Sequence, residues 1–402
     1  SGLFDGSTAT LERTPSSTGN RRTWTISQVF KLGSDIGEQR YLFYAYDGAG
    51  SSGFARIDTT EKLYTHPTAS GDQYVSTQLF RDYSGYVHMV FAFDSTQATA
   101  ADRYKVYVNG TQITDWDSGT APTLNADSKF NWSSSPTVIG SATGAGAPFD
   151  GYMAQAVMID GLQLAPTDFG EVTEDGFWQI NNVSGLTFGT NGFLIEGGSA
   201  MAAGTDSSGN SNSFSKSGTI TATNDSPTDG GDDDEYGNYA SLSPLASAYQ
   251  GHAQGTISNN NRTFAPPNNS WSSARSTHKI PDSGKWYFEG VPQIQDTGTH
   301  GIGLIDASYG TNMSIWRGGG GATGGSVTGL GNVGNTGKEN YTTNDVLGIA
   351  IDMDAGTQKF YKNGTIQPNA SAVVTNLISA RPPAGYVTYC SCYGYSGGNS
   401  WT

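Results

Sequence analysis

Side chains able to do chemistry are few in this chain, and their spacing decides what they could do. The five histidines are His66, His88, His252, His278 and His300. None stands in a metal spacing such as H-E-x-x-H. His88 falls inside a strand pattern and reads as a strand residue, packed or at the surface. No G-x-S-x-G elbow is present. Glu289, Asp306, Asp352 and Asp354 could serve as acids for glycoside hydrolysis, but such pairing is spatial and no local constellation assembles it. Asp352 and Asp354 also border a hairpin turn, where Asp is favoured for turn hydrogen bonds. Cys390 and Cys392, in "YCSCYGY", would share one strand face and read as buried free thiols, since a bridge across one residue would be strained.

Two acidic stretches could suit a hard cation, which wants six to eight oxygens. "DSSGNSN" alternates Asp206, Ser208 and Asn210, and "DGGDDDE" includes Asp232 and Asp234. Calcium is therefore the one metal carried forward, against a competing reading of both stretches as solvated connector. Glycan binding needs an aromatic face with polar groups beside it. Trp116, Trp132, Trp271 and Trp316 fall in segments read as loops, and Trp316-Arg317 is the most site-like pair.

The elements that must position these residues are strands. Of 402 residues only 14% are charged, while Gly alone supplies 55. That profile fits many short strands joined by polar turns. The net charge of −15 without Lys/Arg blocks speaks against nucleic acid and anionic membrane as partners. No apolar run of transmembrane length and no signal-peptide core occurs. The chain starts at Ser1, so an initiator Met or a longer N-terminal part is expected to have been removed or to lie upstream.

Alternation places Trp24, Ile26, Phe30 and Leu32 on one face, with Gln28 as the exception. "YLFYAY" reads as a continuous apolar strand. "GYVHMVFAFD" sets Val87, Met89, Phe91 and Phe93 against Tyr86, His88, Val90 and Ala92. Phe149 to Pro166 reads as a strand pair turned at Asp160-Gly161, and "APTDFGEVTEDGFW" as holding one short helical turn. Residues 183–240 are polar, Gly-rich and acidic, and are expected to form an extended connector, from which "GFLIE" could still add a strand. The Gly-rich stretch Arg317 to Gly337 opens no helix after a strand, which excludes a dinucleotide loop and leaves a surface loop.

One phrase occurs twice. "FAFDSTQATAADRYKVYVNG" and "IAIDMDAGTQKFYKNG" each run from a strand ending in Asp to Asn-Gly, the signal of a tight hairpin. Two copies predict an all-β protein of two antiparallel sandwiches of related build, over 1–182 and 241–402.

The stretch "GYVHMVFAFDSTQATAADRYKVYVNGTQI" with "FDGYMAQAVMIDGLQL" resembles the laminin-G and pentraxin-like members of the concanavalin A-like sandwiches. "SGKWYFEG", "HGIGLID" and "DVLGIAIDMDAGTQKFYKNG" resemble a SPRY domain, and together the two resemblances imply that both sandwiches are concanavalin-like (jelly-roll). "DGYMAQAV" lacks the acidic pair common in laminin-G-like chains, which weakens an inherited metal site there. The order of these blocks around "TDSSGNSNSF" resembles tail-fibre-like and minor structural proteins of marine bacteriophages. That resemblance implies a non-enzymatic protein on the virion surface, as tail fibre, head fibre or decoration. It implies contact with other virion proteins, homo-oligomers (trimers in fibres of that kind) and adhesion to cell-surface glycans. A purely structural decoration protein and a glycan depolymerase are the alternatives.

Overall fold

A computed structural model describes residues 1–33, 37–48, 52–68, 71–142, 146–228, 236–245, 252–253, 255–267, 270–293, 300–308, 314–318, 325–328, 335–367, 373–374, 377–378, 381–394 and 399–402. The chain divides into two compact units, Ser1–Tyr239 and Ala240–Thr402. Both are built of antiparallel strands, and the α-helix among the described residues is the short Ser199–Ala203. No helix among them is long and apolar enough to cross a membrane.

The first unit is a sandwich of two eight-stranded sheets. One sheet runs Thr111–Gln112, Tyr104–Val108, Val87–Asp94, Thr23–Leu32, Asp150–Asp160, Gly2–Asp5 and Ile220–Ala222, with Phe193–Glu196 also paired to Asp150–Asp160. The other runs Trp116–Gly119, Tyr74–Leu79, Lys62–His66, Ser52–Ile57, Arg40–Tyr46, Thr137–Ile139, Thr10–Arg13 and Ser215–Ser217. Alternate residues meet between the sheets. Phe43 meets Phe91 edge-on across the gap at 4.9 Å, while Trp24 stacks at 5.0 Å on Phe93, its cross-strand neighbour in the same sheet. Gln28, the polar exception, is buried and donates to the Leu42 carbonyl at 3.2 Å.

The first sheet is covered on its outer face as well. Val90, Val157, Ile159 and Leu194 pack there against Phe169, Val183 and Phe188. After Gly161 the chain therefore does not return as a strand. Thr25 Oγ1 donates to the Leu162 carbonyl and accepts from the Leu164 amide, both at 2.8 Å, holding the segment as a cover. The expected helical turn is the 3-10 turn Pro166–Asp168.

The structure corrects the connector. Residues 183–239 belong to the first unit and add strands to both its sheets. Few apolar residues suffice, because Val183, Phe188, Phe193, Phe214 and Ile220 are all buried. The polar remainder is held by long-range bonds. Lys31, 1% exposed at its side chain, pairs with Asp225 at 2.5 Å and donates to Asn238 at 3.0 Å. Tyr86 donates to the same Asp225 at 2.7 Å.

The second unit carries a six-stranded sheet, Ser270–Lys279, Tyr386–Gly394, His300–Asp306, Ser314–Gly318, Gly325–Thr328 and Asn335–Lys338. Opposite it, Lys285–Gly290, Leu347–Asp352, Thr357–Lys362 and Thr365–Ile366 pair in that order, with Val373–Val374 on the third. A four-stranded sheet joins Thr256–Ser258, Thr263–Ala265, Ser400–Trp401 and Pro292–Gln293. The core gathers Trp316, Tyr341, Ile349, Ile351, Phe360 and Trp401. Cys390 and Cys392 are buried free thiols, and burial pushes the Cys390 thiol up to about 12. The Gly-rich stretch is not a loop throughout, since Gly325–Thr328 and Asn335–Lys338 extend a sheet. Alternation cannot be read where half the positions lack a side chain.

The repeated phrase folds alike in both units. Asn109 and Gly110 have φ 47° and 78°, and Asn363 and Gly364 have 50° and 76°. In each, the Asn amide donates to the backbone of the preceding strand, at His88 or Val346, and its Oδ1 accepts from that same residue's amide. The left-handed backbone of this turn explains why Asn and Gly recur.

Candidate binding face

The described residues among those expected at a site pack or hold turns within their own units. Trp316 is in no loop: it is fully buried on Ser314–Gly318, edge-on to Tyr341 at 5.4 Å. The side chain of Arg317 lies outside the described residues. Trp271 sits on the strand Ser270–Lys279 and stacks on His252 at 5.8 Å. Trp116 is half-buried on the edge strand Trp116–Gly119, closing the first core against Tyr74 at 5.0 Å. Trp132 does lie outside the strands, half-buried under Arg21 at 4.5 Å and Lys129 at 5.0 Å.

The proposed calcium loop is closed by its own hydrogen bonds. Asp206 accepts from the amides of Leu194, Ser208 and Asn212 and from the Ser208 hydroxyl, at 2.7–2.9 Å. Asn210 donates to the carbonyls of Gly189 and Gly192. The oxygens that alternate in sequence thus turn inward to hold backbone, the ordinary use of Asp and Asn in turns. Asp232 and Asp234 lie outside the described residues. Among the described residues no three His, Cys, Asp or Glu side chains are grouped as a metal would need.

The candidate acids anchor turns and neighbours. Asp306 accepts from Ser308, Asp352 from the Ala355 amide and Asp354 from the Gly284 amide. Glu289 accepts from the Tyr287 hydroxyl at 2.7 Å.

What the structure assembles instead is an aromatic face. The second sheet of the first unit turns Phe43, Ala45, Ala55, Ile57 and Leu63 inward to the core. Alternation then turns Tyr44, Tyr46, Phe54, Arg56, Tyr64 and His66 outward, all half-buried. Register locks them side by side: Tyr44 faces Phe54, Phe54 faces His66, and Arg56 faces Tyr64. Phe54 and Tyr64 are nearly parallel, 4° apart with centroids at 5.6 Å. Tyr44 stacks on Phe54 at 6.4 Å and lies tilted by 31° against Tyr46 at 6.1 Å. The Arg56 guanidinium lies over Tyr64 at 4.7 Å, Phe54 at 5.2 Å and Tyr41 at 5.3 Å. It donates to the Tyr41 hydroxyl at 2.5 Å, while burial raises the Tyr41 pKa above its ordinary value.

Each ring-to-cation contact of this kind is worth about 0.5–2 kcal/mol, so Arg56 holds the rings in one arrangement. His66 closes the far edge. Its Nδ1 lies 3.0 Å from the Ser52 carbonyl, and its Nε2 lies 3.4 Å from Asp72, whose pKa burial raises. The result is a pre-ordered surface of half-buried rings, tyrosine hydroxyls and one guanidinium. Reading "YLFYAY" as continuous apolar sequence hid it. A bulge between Tyr41 and Phe43 breaks the alternation in that strand, leaving Tyr44 and Tyr46 to carry its signal, while Ser52–Ile57 and Lys62–His66 alternate without a break and went unread.

Residues 285–392 match the SPRY domain family. The SPRY match lies wholly in the second unit and covers less than half the chain. Its first strand, Lys285–Gly290, pairs with Leu347–Asp352 in the five-stranded sheet. No curated protein matches the chain. The SPRY domain of human HERC1 is similar at 16% identity and TM-score 0.30, over 40% of this chain and 95% of that one. Domains LG4-5 of the mouse laminin alpha1 chain are similar at 7% identity and TM-score 0.33, over 98% and 81%. The CBM40 of Ruminococcus gnavus IT-sialidase, bound to α2,3-sialyllactose, is similar at 15% identity and TM-score 0.26, over 40% and 94%. At such identities the likeness is one of fold alone.

Proposed function

We propose that the protein is a non-enzymatic glycan-binding protein and that the outward face around Arg56 is its binding surface. The observation that carries this reading is the ladder Tyr44, Phe54, Tyr64 and His66, ordered by Arg56 and left half-exposed on a sheet face. A sugar ring offers an apolar face to such a platform and hydroxyls to the groups at its rim. Nothing in this arrangement supplies an acid and a nucleophile across a scissile bond. The setting is the outer surface of a phage particle, as tail fibre, head fibre or decoration, and the support is the order of sequence blocks described above. A homo-oligomer, with a trimer favoured, would multiply weak single contacts into firm adhesion.

The test is affinity electrophoresis of the full chain through gels holding laminarin, alginate, xylan or mannan. Retardation in at least one gel is expected. Phe54→Ala and Arg56→Ala should each weaken it about tenfold or more while the far-ultraviolet spectrum is kept, an effect of about 1.4 kcal/mol. Unretarded migration in every gel, or retardation indifferent to both substitutions, counts against the reading. In the first case the structural decoration reading takes its place.

A further inference from the structure

The same sheet face carries a second feature four strands away. A cavity of about 610 Å³ is lined by Thr10, Glu12, Arg13, Asn212, Ser215 and Ser217, among others, and contains no aromatic side chain. Arg13 is fixed at its end by bonds to Asn212 Oδ1 and the Asn191 carbonyl. Glu12, Ser215 and Ser217 are exposed. The trough therefore offers hydroxyls, the Glu12 carboxylate and the Lys216 ammonium, beside an Arg13–Asn212 pair that is already bonded, with no apolar pocket to seat a peptide side chain.

Register ties the trough to the aromatic platform. Ser215 faces Glu12, Glu12 faces Val138, Val138 faces Tyr44, and Tyr44 faces Phe54. Directly opposed residues on neighbouring strands point to one side of a sheet. Platform and trough thus share one face and one row across the strands, with the buried Val138 between them. From the Phe54 strand to the Ser215 strand are four steps, roughly 19 Å at the usual strand spacing. That span exceeds a mono- or disaccharide and suits several linked rings.

Resting on the glycan reading above, we infer that the ligand is a linear polysaccharide recognised along an internal stretch of its chain. Ring faces stack on Tyr44 and Phe54 while residues further along hydrogen-bond in the trough lined by Glu12 and Ser215. The trough exists only because residues 211–217, sequence that reads as linker, fold back onto Thr10–Arg13.

Oligosaccharides of two to eight residues, prepared from laminarin, alginate, xylan and mannan, are titrated into the full chain by calorimetry. In at least one series the affinity should climb about tenfold or more from the shortest to the longest member and then level off. Ser215→Trp, which fills the trough, should abolish that dependence on length. Glu12→Ala, at a second exposed position, tests the same point should the first variant fail to fold. Equal affinity at all lengths, or a length dependence that survives both substitutions, overturns the extended site and leaves the aromatic face standing. Failure of the unaltered chain to bind any member overturns both.

Discussion

At the scale of single residues, His88 shows how an unremarkable position becomes decisive. Mid-strand placement was readable from sequence, but its partners were not, because they come from 61 and 90 residues away. Its Nε2 lies 2.7 Å from Ser27 Oγ, and its Nδ1 accepts from the Trp178 indole at 2.9 Å. Trp178 also stacks on the ring, at 5.8 Å. Burial lowers the His88 pKa from 6.5 to about 4, so the folded chain keeps the ring neutral. An unfolded chain takes up the proton near 6.5. Stability is therefore complete above that pH and declines as pH falls toward 4, by roughly 3 kcal/mol in all. Urea midpoints at pH 7 and pH 4.5 should differ more for the natural protein than for His88→Leu; equal differences would contradict the assignment. Trp316 teaches the converse. A tryptophan beside an arginine and a glycine run looks like a surface site in sequence, yet Trp316 is fully buried in the core and its strand neighbour Ile315 is buried as well.

At the scale of elements, the Asn-Gly hairpins were legible because turn chemistry is local: two left-handed residues are demanded, and Asn-Gly supplies them. The strand Ile220–Ala222 and the residues near Tyr239 were not legible, because long-range partners hold them, among them a buried ion pair. Lys31 is held between the Tyr86 and Tyr152 rings, with its ammonium on Asp225. Burial lowers the Lys31 pKa, and Asp225 works against that. Removing one partner leaves an uncompensated buried charge. Asp225→Asn should cost about 3–5 kcal/mol in urea unfolding. The double replacement Lys31→Met with Asp225→Leu should cost much less, since a buried pair often breaks even with apolar packing. A double variant as unstable as the single one would show that the charges themselves are required. The aromatic face was missed for a third reason, a bulge that breaks alternation within one of its strands, while the alternation of the other two went unread.

For the whole molecule, composition gave the all-β class and the repeated phrase gave two sandwiches, while the first boundary was drawn too early. Polar, Gly-rich sequence can still close a fold when a handful of its residues, such as Phe193 and Phe214, reach the core. A fragment of residues 1–239 is expected to unfold cooperatively and to keep any glycan retardation seen with the full chain. A fragment ending at residue 182 lacks strands of both sheets and should aggregate or show no cooperative transition. Cooperative unfolding of the shorter fragment would restore the earlier boundary.

The clasp at Lys31 has a mechanical side. Were the protein to adhere to glycans as proposed, tension entering from the chain beyond Tyr239 would meet the first unit at bonds that include those from Lys31 to Tyr239, Asn238 and Asp225 and from Asn238 to the Ser84 carbonyl. Those bonds bear the load before the short strand Ile220–Ala222 can peel from Gly2–Asp5. A break there would free slack while leaving the sheet around Arg56 whole, so the clasp would act as a fuse that yields ahead of the grip.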